Sequence, residues 1–186
     1  MPRTRLILFG LVAFAQLFVA GKMIFDRQQI LNEGSVYKFL MEPVDPNDPF
    51  RGKFLILGFE SDYVDVMDSV KTFDRGMTCN VLLGTDENGF AQLLEISEEA
   101  PGSEYLQLKV QQVNNIAGNG RRVFFEMPFD RYYINEQNAE AAEKVLREEL
   151  NDNMDKPYAV VRIRDGRAVL EDLVLGKRSI SELLQD

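Results

Sequence analysis

Histidine is absent from the 186 residues, and cysteine occurs once, as Cys79. The first absence removes Ser-His-Asp and Cys-His catalysis and histidine-based zinc or iron centres, since each needs an imidazole as base or ligand. The second excludes an intramolecular disulfide and leaves a thiol with no histidine to activate it. Thr78-Cys79-Asn80-Val81 reads as a small buried residue at a strand start, with an intermolecular bridge as the alternative. Positive charge is also scarce. Of 21 basic residues, Arg3, Arg5 and Lys22 belong to the N-terminal segment, which leaves 18 against 30 acidic ones, a formal charge of −12. An acidic surface repels phosphate backbones, and no basic stripe with interleaved aromatics is present, so nucleic acid is not an expected partner. There is no internal repeat, no low-complexity linker and no clean boundary between two halves.

What is present begins with an apolar run. Arg3 and Arg5 precede Leu6 to Ala20, which carries no charge and one strongly polar residue, Gln16. Extended to Phe25, the run is about 20 residues, roughly 30 Å as a helix, enough to cross a bilayer core. Lys22 can place its ammonium among headgroups. A retained anchor is the favoured reading; a cleaved signal peptide ending at Ala13-Phe14-Ala15 and a buried helix are the alternatives. Cleavage there would leave Leu17 to Phe25 as an exposed apolar terminus. The basic N-terminal flank favours tail inside and domain outside, although Lys22 and Arg27 answer it on the far side.

Beyond the membrane the helix is expected to continue through Asp26–Leu31 and stop near Gly34, giving residues 1–34 as anchor and short stalk and 35–186 as the domain. Val36 to Met41 and Phe54 to Phe59 read as strands, separated by a turn-rich stretch with prolines at 43, 46 and 49. Asn80 to Ile96 reads as a hairpin around Thr85–Gly89, and Tyr105 to Val113 as a period-two strand. Asn114 to Gly120 is then expected as a loop and Val123 to Met127 as a strand. Glu136 to Leu150 carries Ala139, Ala142, Val145, Leu146 and Leu150 on one face, an amphipathic helix that Asn135 would cap. Tyr158 to Ile163 and Ala168 to Leu173 flank Asp165-Gly166, a strong hairpin signal, and Ser179 can cap a last short helix. The fold class expected is α+β: an N-terminal transmembrane helix, then a β-rich, mainly antiparallel domain with one amphipathic helix near 136–150.

Asp45-Pro46-Asn47-Asp48-Pro49-Phe50-Arg51-Gly52-Lys53-Phe54-Leu55-Ile56-Leu57-Gly58-Phe59 resembles the bacterial GDYXXLXY family, membrane-anchored proteins named for that run. Gly52 and Leu57 match as they stand, Phe54 and Phe59 replace tyrosines with the same ring, and Lys53 stands where the family name has aspartate. Phe129 to Ile134 followed by Glu140 to Glu149 is similar to the family's aromatic segment and helix, and Ala159 to Leu173 to its closing hairpin. The resemblance implies an exported, membrane-anchored domain with no established activity. Genes for such proteins often lie beside those for multi-pass membrane proteins, which implies a membrane partner.

The chemical candidates weigh little against structural readings. Asp45-x-Asn47-Asp48 and Asp86-Glu87-Asn88 offer clustered oxygens, but neither has the alternate ligands, central glycine and bidentate glutamate of a calcium loop. A Ser/Lys hydrolase needs a desolvated lysine beside its serine; Ser35, Ser61 and Ser69 lie nearest the anchor, and Lys71 is close to Ser69 in a charged stretch. Glu60, Asp62, Asp65 and Asp68 could supply a carboxylate pair, yet thirty acids produce such pairs by chance. Glu140, Glu143, Glu148 and Glu149 read as a solvated helix face, and Phe124, Phe125, Phe129, Tyr132 and Tyr133 as core.

The function expected is therefore a single-pass protein of the bacterial inner membrane with its domain facing the periplasm. It would act as a non-catalytic binding or accessory subunit of a membrane protein complex, with a multi-pass partner and no cofactor. A membrane-tethered hydrolase with a Ser/Lys or carboxylate site is the alternative. Two segments form the expected binding surface: the turn and strand carrying Asp45, Asp48, Arg51, Gly52, Lys53, Phe54, Leu57 and Phe59, and the aromatic segment Arg131, Tyr132 and Tyr133.

Overall fold

The computed structural model describes residues 3–42, 54–67, 72–102, 104–133, 156–176 and 178–183. Helix α1 (Arg3–Glu33) contains no proline or β-turn signal and runs unbroken for 31 residues. Its apolar side chains from Leu6 to Phe25 point outward without protein cover, and burial begins only at Ile30. This is one helix long and apolar enough to cross a membrane. The helix ends where the sequence placed the stop: Gly34 N–H closes the last turn on the Ile30 carbonyl at 2.9 Å. A Cβ at Gly34 would lie 2.5 Å from that carbonyl oxygen and 3.0 Å from the carbonyl oxygen of Ile163. Only glycine lets helix and sheet approach this closely.

Strand β1 (Ser35–Glu42) follows immediately. The other strands are β2 (Phe54–Ile56), β3 (Gly58–Phe59), β4 (Tyr63–Val66), β5 (Thr78–Thr85), β6 (Ala91–Ser97), β7 (Tyr105–Ile116), β8 (Gly120–Glu126), β9 (Arg131–Tyr133), β10 (Tyr158–Arg164), β11 (Arg167–Leu175) and β12 (Arg178–Ser179). They form a five-stranded sheet in the order β12-β11-β10-β1-β3, a second in the order β4-β8-β7-β5-β6, and a two-stranded ribbon of β2 and β9. Every strand pair is antiparallel. The fold is thus the expected helix followed by a mainly antiparallel β domain.

Period-two alternation drives the sheets together. Ala159, Val161 and Ile163 of β10, Leu106, Leu108 and Val110 of β7, Val81 of β5 and Val123 and Phe125 of β8 are fully or almost fully buried, while their sequence neighbours face outward. These inner faces share one core with Phe39, Met41, Leu55, Leu57, Phe59, Met127 and Phe129. The second sheet curls through a bulge between Val110 and Gln112, so that β4 returns towards β6 and Ser61 Oγ accepts the Leu93 N–H at 3.0 Å. A second link ties the sheets at the β10–β11 turn, where Gln107 N–H donates to the Gly166 carbonyl at 2.8 Å. That turn is the Asp-Gly signal realised, with φ of +50° at Asp165 and +75° at Gly166.

Two expectations are corrected. Phe54 to Phe59 is not one strand but two, in different sheets, because the chain changes partner at Leu57, whose N–H goes to the Asp130 carbonyl at 2.8 Å. Asn114 to Gly120 is not a loop: β7 continues to Ile116 and β8 starts at Gly120, leaving Ala117–Asn119 as the turn. Pairing of Asn114 and Asn115 with Arg122 and Arg121 overrides the weak strand preference of asparagine. Strand β4 went unanticipated, although Tyr63-Val64-Asp65-Val66 alternates. The helix expected at Glu136–Leu150 and its cap Asn135 lie outside the described residues.

Three phenylalanine rings lock the sheets to the ribbon. Phe39 of β1 lies 4.9 Å from Phe129 and 6.1 Å from Phe59 between ring centroids, and Phe59 lies 5.1 Å from Phe129. All three are at most 3 % exposed. Replacing Phe59 by alanine in the detergent-solubilised full chain is expected to lower the unfolding free energy by about 3–5 kcal/mol. Equilibrium denaturation checks this, and a loss below about 1 kcal/mol would show that the rings do not hold the core.

Candidate functional site

Phe54 to Ile56, from the first of the two segments that the sequence marked, meets the second in the ribbon. Phe54 pairs with Tyr133, Leu55 with Tyr132 and Ile56 with Arg131. Alternation then sorts the side chains. Leu55, Leu57 and Phe59 turn inward and are buried, whereas Ile56 is 37 % and Tyr133 70 % exposed. On the outer face the Phe54 and Tyr133 rings lie 5.8 Å apart, and the Arg131 guanidinium sits 5.2 Å from the Phe54 centroid. Arg131 also reaches Asp130 at 3.7 Å. Tyr132 takes the opposite face and is half-buried, and burial followed by the nearby Asp172 charge pushes its phenol up.

Of the expected surface, Leu57 and Phe59 are therefore core, Phe54 is half-buried at the rim, and Arg131 and Tyr133 are presented outward. Asp45, Asp48, Arg51, Gly52 and Lys53 lie outside the described residues. Ile56 was missed, though its position two residues after Phe54 in a period-two strand was the signal for it. The ribbon stands at the end of the first sheet away from α1. It is joined to β1 where Met41 and Glu42 pair with Phe59 and Gly58, and β1 starts beside α1. Eight strand residues separate those ends by roughly 26 Å.

The alternative chemistries do not assemble among the described residues. Ser35 Oγ donates to Glu104 Oε1 at 2.6 Å, and Ser61 Oγ is taken by the Leu93 amide; Ser69 and Lys71 lie outside the described residues. Glu60 pairs with Lys156 at 2.7 Å, and Asp65 makes a two-pronged contact with Arg122 at 2.7 and 2.8 Å. Arg122 at the same time stacks 4.1 Å from the Tyr63 centroid. Asp86 caps its own turn by accepting the N–H groups of Asn88 and Phe90, both at 2.8 Å. No group of three or more histidine, cysteine, aspartate or glutamate side chains suited to a metal occurs among the described residues. Cys79 is a buried free thiol, held above its ordinary pKa by desolvation.

Two clefts lie among the described residues at other places on the domain. One of about 250 Å³ lies between the β4 and β6 edges, bordered by Val66, Met67, Phe73, Leu94 and Ile96. The other, of about 510 Å³, lies at the foot of α1 between Glu33, Glu104, Tyr105 and Arg164. In the second, the polar groups bond one another: Ser35 donates to Glu104, and Arg164 pairs with Glu33 and Asp165.

A long apolar N-terminal helix joined without a linker to an antiparallel β domain, with an aromatic ribbon at its far end, defines the class of protein. The family model described as GDYXXLXY protein matches residues 16–173, and the chain belongs to that family. No curated protein and no solved structure gives a significant match. The match includes the run from Gly52 to Phe59 that resembles the family's name, and the described part of that run joins ribbon to sheet.

Carboxylates near this junction carry a pH signature. Burial raises the pKa of Asp62; burial, followed by the charges of Asp62 and Glu60, raises that of Glu42; burial also raises that of Asp130. A raised folded-state pKa gives stability that is present below the ordinary carboxylate range and lost as pH climbs through the raised value. Asp62→Asn is accordingly expected to raise the melting temperature at pH 7 and to make little difference below about pH 3.9. Paired thermal melts at both pH values measure this, and an equal shift at both would refute the titration account.

Proposed function

We propose that this protein is a single-pass component of the bacterial inner membrane whose domain, residues 35–186, faces the periplasm. There it serves as a non-catalytic accessory subunit and docks on the periplasmic part of a multi-pass membrane protein. The observation that carries the docking reading is the ribbon: the motif strand and the Arg131–Tyr133 segment pair, and their outer face shows Arg131, Tyr133, Phe54 and Ile56. Tyrosine and arginine are the side chains that most often anchor protein interfaces, and two rings held by a strand pair lose little entropy on binding. Position supports the same reading, since the ribbon lies at the end of the domain away from α1, where lipid cannot reach it but a partner projecting from the membrane can.

The acidic domain favours a partner surface with exposed lysine or arginine. α1 supplies the tether, and its unburied apolar side chains are covered by lipid or by the partner's helices.

The test is crosslinking of the full-length protein in its native membrane, then affinity recovery and mass spectrometry. The expected result is one multi-pass protein in fixed proportion. Tyr133→Ala combined with Arg131→Ala should reduce its recovery by tenfold or more, since each interface anchor is worth about 1–2 kcal/mol. The denaturation midpoint should stay within the small range of surface substitutions. Recovery unchanged in that variant would move the interface elsewhere, and recovery of the chain alone would refute the accessory role.

A further inference from the structure

α1 does not simply lead into the domain; its last two turns lie against the β10–β11 hairpin. Ile30 is buried, Glu33 is ion-paired with Arg164, and the Arg162 guanidinium donates to the Gly34 carbonyl at 3.3 Å. Further back along the helix, Asp26 Oδ2 accepts Lys22 Nζ at 2.6 Å and lies 3.7 Å from Arg167 Nη1. The hairpin tip therefore extends past the end of the helix, back towards the apolar run.

This position fixes a height. Asp26 is the first residue after the run that ends at Phe25. In a chain whose α1 spans the bilayer, Asp26 stands where hydrocarbon gives way to headgroups, and Lys22, one turn deeper, must extend its ammonium to the same level. Arg167 reaches that level from the domain. Its side chain is 66 % and that of Lys22 61 % exposed. Two cations there share one carboxylate, and Arg27 adds a third cation on the adjacent helix position. Among the neighbouring acids, Glu33 and Asp165 both face Arg164, and Glu104 accepts the Ser35 hydroxyl. Lys22, Arg27 and Arg167 thus outnumber Asp26 and Asp165 at the level of Asp26, at the bilayer edge of an otherwise acidic domain.

Resting on the spanning reading of α1, we propose that the β10–β11 hairpin tip is a second membrane contact, in which Arg167 and Lys22 bind the phosphate of an anionic phospholipid headgroup. A guanidinium at 3.7 Å from its carboxylate is beyond hydrogen-bond length and keeps its planar donor fork for a phosphate, which it fits in two-pronged fashion. The occupant is set by the height of the site, since phosphates of the leaflet surround Asp26 at that level. The consequence is a fixed stance: hairpin tip on the bilayer, ribbon pointing away from it.

The experiment uses the full-length protein in detergent micelles, titrated with phosphatidylglycerol or phosphatidylcholine and read by native mass spectrometry. The wild type should retain phosphatidylglycerol preferentially, and Arg167→Gln should weaken that preference roughly fivefold, the share of one basic side chain at a membrane surface. Arg167→Lys, which keeps the charge, should retain most of it. A nitroxide at Asp165→Cys in nanodiscs should report headgroup depth, with one at Glu87→Cys in bulk water as reference; Cys79 is buried and does not compete for the label. Equal retention of both lipids by the wild type, an unchanged preference in Arg167→Gln, or a label at Asp165 in bulk water would each overturn the proposal. Full competition by millimolar inorganic phosphate would overturn the assignment to lipid. Release of the wild type from native membranes by alkaline carbonate would overturn the spanning reading itself, a failure distinguishable from those of the hairpin.

Discussion

The contact of Phe39, Phe59 and Phe129 is the constraint on which the rest of the structure depends. Phe39 belongs to the first sheet, Phe59 to the family motif, and Phe129 to the turn that leads from the second sheet into the ribbon. Three rings in edge and tilted contact each bury their full area and gain from the opposed charge of ring edge and face. Around them one stretch of chain changes partner three times. Phe54–Ile56 belongs to the ribbon, Gly58–Phe59 to the first sheet, and beyond it Ser61 holds β6 while the Asp62 carbonyl takes the Phe125 amide of β8. Leu57 is the pivot. In this chain the stretch from Phe54 to Phe59 joins the ribbon to the first sheet, with Leu55, Leu57 and Phe59 in the core.

At the opposite end the constraint is backbone proximity. Gly34 brings the α1 terminus within contact of Ile163, and a side chain there would push them apart. Helix and sheet consequently meet without a linker, and the ion pair of Glu33 with Arg164 lies across the joint. The Gln107–Gly166 bond links the same hairpin to the second sheet.

Charge is arranged along the same axis. The domain is acidic, but many of its described carboxylates are spent locally, Asp65 on Arg122, Glu171 on Arg162 and Glu60 on Lys156. Exposed pairs of this kind add little stability and mainly keep the strands in register. On the ribbon, by contrast, the Arg131 guanidinium lies over the Phe54 ring beside an exposed Tyr133.

What the sequence alone determined about this protein was local. The long apolar helix, its end at Gly34, the Asp165-Gly166 hairpin, the burial of Cys79 and the alternation of β5, β7 and β10 follow from periodicity and turn chemistry within a few residues, and the family resemblance lay in the linear order of one motif. The tertiary structure alone decided where Phe54 to Phe59 breaks, that Asn114 and Asn115 extend a strand, and that Phe54–Ile56 meets Arg131–Tyr133. Those outcomes depend on hydrogen-bond partners far away in the chain. A strand's own residues specify which side chains share a face, but the partner that its backbone finds, and hence which side chains meet on the outward face, is set by the packing of the whole core.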